Sequence, residues 1–347
     1  MSTTARLGTL VGGTRYGDPA TQTIRYCLDL LDLDVLDAGA AEPARIPLDF
    51  FAHGFAPHPS RPEAVILEKR GPGGAYVDLA RREVLRPVAP LPGHHFYGHG
   101  AFSRDAGALF AVETELASNQ GVISVRDPSS FAVLGTFPTF GEAPHDCVLL
   151  EEGRTLAVTN GGGRAGAGAG GAPCVSFVDV ASRRLLEKFE ASDPNINTGH
   201  VAVTKDRAFV VVSAPRDGLP ETALGGVSVR LKGGPLRYAT RPTVATSRMV
   251  GESLSVCIHE GTRTALVTHP YGGLITFWNL DAGALVGALD LPHARGVTLT
   301  LDQRYFAVSY GPAASLLLIE TSPLRPVLER DPGARRFSGS HVYTWSA

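Results

Sequence analysis

The chain is predicted to be all-β, a seven-bladed β-propeller forming a single domain over residues 1–347. Three observations carry that prediction. Short apolar runs alternate with turns, punctuated by 40 glycines and 25 prolines, and no long amphipathic helix interrupts them. Hairpin-like pairs of runs occur seven times. The units containing them return every 42 to 55 residues, the period of a four-stranded blade.

The hairpins are "IRYCLDLLDLDVLD" (24–37), "GAYVDLARREVLRPV" (74–88), "GVISVRDPSSFAVLGTF" (121–137), "CVSFVDVASRRLLEKF" (174–189), "GVSVRLKGGPLRY" (226–238), "LITFWNLDAGALVGAL" (274–289) and "SLLLIETSPLRPVL" (315–328). Taken alone, "LLDLDVLDAG" and "RRLLEKFEAS" could each be a short helix. Their place in the series makes them strands. Ahead of most hairpins comes a small or histidine-led strand, a turn, and a strongly apolar strand, as in "HGAFSRDAGALFAVET" and "HDCVLLEEGRTLAVTN". Only six such units are complete in order. The missing first strand is "HVYTW" (341–345), which should join "LGTLVGG", "TIRYCL" and "LDVLDA" in one blade. Pairing of 341–345 with 8–13 would tie both chain ends into one sheet and leave no free edge.

Aligned on their turns, the first strands place His53, His99, His145, His200, Ser253, Arg295 and His341 at one repeat position. The first strand of a blade is innermost, so these residues should encircle the axis. A single histidine there could cap a turn or bond to the next blade. Five of the chain's 11 histidines at one position is not scatter. Neutral imidazoles that converge suit a borderline transition metal, with iron or copper as the leading expectation and zinc as an alternative. Without metal, the ring would be structural or would bind an anion.

The stretch "HHFYGHGAFSRD" (94–105) then divides into ring and rim, with His99 on the axis and His94 and His95 above it. Loops on that face should also bring Glu68, Arg70, Tyr97, Glu113, Glu115, Asn160, Arg216, His269, Tyr271 and Tyr310 to the mouth, with Arg15 and Tyr16 from the N-terminal blade. The candidate catalytic residues are His94, His95, Glu113 and Arg216. Glu113 or His94 would move protons and Arg216 would hold an anionic substrate. The run "GGGRAGAGAGGAP" (161–173) lies on the same face, as a lid or as an irregular insertion. It lacks the residues of a phosphate-binding loop, and no GxSxG or HExxH occurs.

Composition narrows the classes. Lys plus Arg is 32 and Asp plus Glu 34, a net charge of −2 with no basic stripe, which argues against nucleic acid. No stretch approaches 18 apolar residues, so no membrane span is expected. "MSTTARLGTLVGGTRYGD" lacks the pattern of a signal peptide, which points to a cytoplasmic protein. Cys27, Cys147, Cys174 and Cys257 form no CxxC pair and could be buried thiols or include one disulfide. The partner is then a small-molecule or peptide substrate, or a metal-handling protein.

The segments "FAHGFAPHPSRPEAVILEKR", "GHHFYGHGAFSRDAGALFAVETE", "GVISVRD", "GEAPHDCVLLEEGRTLAVTNGG" and "GGPLR" resemble an uncharacterised bacterial family of exported seven-bladed propellers, often encoded beside imelysin-type and other iron-uptake proteins. The resemblance covers residues 45–320. Its most specific marks are the His-Gly and Pro-His-Asp steps, and it implies that His53, His99, His145 and His200 head recurrent strands. This chain departs from it in lacking an export signal and in its glycine-rich mid-chain loop. The leading expectation is a metal-binding propeller acting as a redox or hydrolytic enzyme. The alternative is a non-catalytic binding propeller concerned with iron or copper.

Overall fold

The computed structural model describes residues 6–18, 23–38, 43–166, 170–312, 315–327, 339 and 341–346. Within them, 28 strands form seven four-stranded sheets. Six blades are continuous in sequence: blade 1 (52–87), blade 2 (94–142), blade 3 (144–190), blade 4 (201–238), blade 5 (256–290) and blade 6 (297–327). The seventh, the closing blade, takes its innermost strand, Val342–Trp345, from the C-terminus and three strands from the N-terminus. Thr9 pairs with Trp345 and Gly12 with Val342, the closure expected from the sequence.

One expected strand is corrected. "LDVLDA" (33–38) is a 3-10 turn, and the outer strand of the closing blade is Ala44–Leu48. The cause is local: the Asp34 carboxylate accepts from the backbone N–H groups of Leu7 and Gly8, and that of Asp32 from Asp34. This segment is fastened as a turn before it could pair as a strand.

Each interface between adjacent blades has its own apolar cluster. Phe110, Val112 and Ile123 of blade 2, for example, pack on Leu156, Val158 and Val178 of blade 3. Outer strands such as Glu83–Pro87 are exposed throughout. The core is therefore a ring of seven clusters, and the first strands of successive blades meet around the axis. The four cysteines carry free thiols.

Candidate metal centre on the propeller axis

The sequence aims its histidines inward by breaking strand pairing where they occur. His53, His99 and His145 each fall at an irregularity between the first and second strands of their blades, at 52/54, 96/100 and 144/147. A bulge turns a side chain out of the regular alternation, here toward the axis. His200 and His341 lie one residue before the strands Val201–Val203 and Val342–Trp345. Close approach of blades 1 and 2 also needs glycine. Gly98 has φ +110, and a Cβ there would meet the His53 ring at 2.4 Å.

The five rings form one buried cluster, each residue 5–7% exposed. Ring centroids lie 4.9 Å apart for His53 and His99, 4.4 Å for His145 and His200, and 4.1 Å for His200 and His341. One nitrogen from each of His53, His99, His145 and His200 lies within 4.8 Å of the others. Nitrogens that share one ion at about 2.1 Å can be no more than about 4.2 Å apart, so a small contraction would bring all four into range. Nε2 of His145 and of His200 already face one another at 3.1 Å. Nε2 of His53, His99 and His341 is buried without a partner. Native interiors rarely leave several such nitrogens unsatisfied together, so the donor set fits a cation.

Asp146 orders this ring. One carboxylate oxygen lies 3.2 Å from His99 Nδ1 and accepts from the Cys147 N–H; the other lies 3.5 Å from His200 Nδ1 and accepts from the Val201 N–H. A proton held on each Nδ1 leaves Nε2 with its lone pair toward the axis, as a carboxylate behind a metal-binding histidine does. Burial alone would raise the Asp146 carboxyl, but His99, His200 and the Val201 N–H outweigh it and hold it below its ordinary value. Burial and mutual repulsion push His53, His145 and His341 well below the ordinary imidazole value; burial brings His99 to about 4. These four rings are neutral near pH 7, the form that ligates. Asp146 was not among the residues singled out from the sequence. The visible signal was a carboxylate directly after a ring histidine, inside the Pro-His-Asp step.

The expected funnel on the loop-rich face is corrected. Glu113 is fully buried inside blade 2, where it accepts from Arg126 and Leu91 at 2.7 Å and from the Ser124 hydroxyl. It is an inter-strand pin. Arg216 is 5% exposed and donates to the carbonyls of Gly162, Gly163, Arg164, Gly171 and Pro194. Its donors fasten the glycine-rich loop and leave little for a substrate. His94 is half-buried and faces the Pro92 carbonyl at 3.0 Å. His95 is half-buried with an unpartnered Nε2, its ring 6.4 Å from that of Tyr97.

Tyr97 lies over the ring, its centroid 4.9 Å from that of His145, and its hydroxyl accepts from Arg70 at 2.8 Å. Arg70 also meets Asp217 at 3.6 Å, and Lys69 meets Glu252 at 3.7 Å. The space left there is about 20 Å³, room for one water. Asn160 and His269 are also structural pins: Asn160 donates to Ser176 and accepts from the Thr139 hydroxyl of blade 2, and His269 is bonded to Thr276. The Ser253 hydroxyl turns away from the ring to His269 Nδ1 at 2.8 Å.

A family described as "Protein of unknown function (DUF1513)" matches residues 46–331. The chain belongs to that family. No curated protein matches it. Among solved structures, hydrazine synthase from Kuenenia stuttgartiensis is similar, with a TM-score of 0.68 and 14% identity over 92% of this chain and 97% of that one. At that identity the likeness marks the propeller architecture alone. Among the described residues, no helix is long and apolar enough to cross a membrane.

Proposed function

We propose that this DUF1513 protein binds one transition-metal ion on its axis through Nε2 of His53, His99, His145 and His200, with His341 as the fifth imidazole of the site. The observation that carries this reading is one nitrogen from each of four buried histidines lying within 4.8 Å of the others, with Nε2 of His53 and His99 unpartnered and Asp146 on the Nδ1 side of two rings. An all-imidazole donor set suits iron or copper, and zinc as well. Bound there, the ion would supply Lewis-acid or redox chemistry. The protein's own part is to keep His53, His99, His145 and His341 neutral and to fix the tautomers of His99 and His200 through Asp146.

Elemental analysis of protein purified without an affinity tag, after supplementation with iron, copper and zinc, tests the proposal directly. About one ion per chain is expected. Less than about 0.2 per chain would sink it, because a site assembled from neutral, pre-oriented imidazoles should hold its ion through purification.

A metal-dependent enzyme is favoured over a purely structural centre by one further feature. His99, His200 and His341 form part of the wall of a cavity of about 250 Å³, so a ligand-sized space reaches the ring on that side. A centre that only braces the fold is closed, whereas a catalytic one keeps a position open. That volume suits a small-molecule substrate better than a peptide.

A further inference from the structure

The ring has two sides. On the loop-rich side, Tyr97, Arg70 and Asp217 leave about 20 Å³ against the ring at His145, and the larger pocket beside it, about 340 Å³ lined by Arg216, Asp217, Glu252 and Tyr271, touches none of the ring histidines. On the other side, the first strands surround a channel of about 250 Å³ that ends on His99, His200 and His341. Among the described residues no lysine or arginine lines it. Its one carboxylate, Asp146, has both oxygens engaged by histidine and backbone donors. The remaining wall is valine and aromatic surface with small hydroxyl and thiol groups, such as Val148, Val256, Cys257, Ser255, Thr298 and Tyr343. A charged ligand would find no counter-charge in that wall and would lose its hydration.

We infer that this channel, and not the loop-rich mouth, is the binding cavity and access route of a small uncharged ligand that reaches the histidine ring. The inference rests on the metal reading for what the ligand meets, but not for the channel itself. At roughly 30 Å³ per water, the space holds a diatomic gas or an organic molecule of several heavy atoms, and excludes a folded peptide.

Two arms test it. In metal-free protein, Cys257 reports on the channel and Cys27 is its control. Burial raises both thiols to about 12, but Cys27 lies inside the closing blade. Neutral methyl methanethiosulfonate should modify Cys257 at least tenfold faster than Cys27, as read by mass spectrometry. The sulfonatoethyl reagent, with the same reactive group and a negative charge, should not. Val148→Trp should slow the neutral reagent at least tenfold, and Thr298→Phe serves if that variant does not fold. Equal rates at the two thiols, equal rates for the two reagents, or blocking variants without effect would overturn the inference.

In metal-loaded protein, nitric oxide should change the metal spectrum. Val148→Trp should slow that change at unchanged metal content, and Arg70→Ala should leave it alone. Faster binding in Arg70→Ala would place the route on the loop side. A wild-type spectrum indifferent to nitric oxide would overturn the inference while the metal site stood. If no metal binds at all, the metal reading fails and the thiol arm alone decides the channel.

Discussion

Two repeat positions carry buried polar side chains in successive blades, and they have opposite states. At the axis, five imidazoles converge and three keep an unpartnered Nε2. At the end of the second strand, Glu113, Asn160 and His269 each reach diagonally to the third strand, to Ser124, Ser176 and Thr276. His269 is bonded on both ring nitrogens, and Thr276 also accepts from the Trp278 indole at 2.8 Å. Both positions recur, and both interrupt apolar runs. Recurrence therefore does not distinguish a site from a brace, whereas unused hydrogen-bonding capacity does.

Acid should disturb both regions, and this is the largest effect expected. Burial, first of all, holds His99 at about 4, His269 at about 3, and His53, His145 and His341 well below the ordinary value. In the unfolded chain all five return to about 6.5. Below that pH the unfolded chain takes up protons that the folded one refuses, so folding loses stability as pH falls toward the folded values. Each group adds up to about 1.4 kcal/mol per pH unit. Urea midpoints of the metal-free protein should be steady above pH 7 and fall steeply between 6.5 and 5. A flat profile would mean that these rings are not buried neutral.

Single substitutions should then separate the two positions. Glu113→Ala leaves Arg126, 2% exposed, without its carboxylate, and should cost about 3–5 kcal/mol in denaturant unfolding while metal content stays unchanged. His99→Ala should do the converse. Ion at a thousand times its dissociation constant stabilises the folded protein by about 4 kcal/mol, and most of that gain should vanish in the variant. A His99→Ala protein whose thermal midpoint still rises with metal as the wild type's does would take His99 out of the site.

The sequence showed the ring more clearly than its surroundings, for a physical reason. Propeller period and strand order fix which residues head the inner strands, so His53, His99, His145, His200 and His341 could be placed from spacing, and so could closure by residues 342–345. Side-chain direction past a strand end has no such rule. Glu113 and Arg216 were expected in a funnel, but the first finds Arg126 across its own sheet and the second finds the carbonyls of the glycine-rich loop. Ser253 shares the alignment position of the ring, yet His269 draws its hydroxyl into the blade. Asp146 was hidden because it pairs with histidines 47 residues before it and 54 after.

Asp146 belongs to both classes, which makes it the finest test of the contrast. Each carboxylate oxygen faces two donors, His99 Nδ1 and the Cys147 N–H on one side, His200 Nδ1 and the Val201 N–H on the other. In Asp146→Asn the amide NH₂ must point at one of these pairs, donor against donor, so one histidine loses its anchor. If Asp146 orients the ring, affinity measured against a competing chelator should fall about 10- to 100-fold, which is about 1.4–2.7 kcal/mol. Stoichiometry should stay the same, because every imidazole is still present. If Asp146 were only a brace like Glu113, the variant would lose stability without metal and keep its affinity with it. Measuring both quantities on one preparation decides between them, and unchanged affinity would leave Asp146 among the pins.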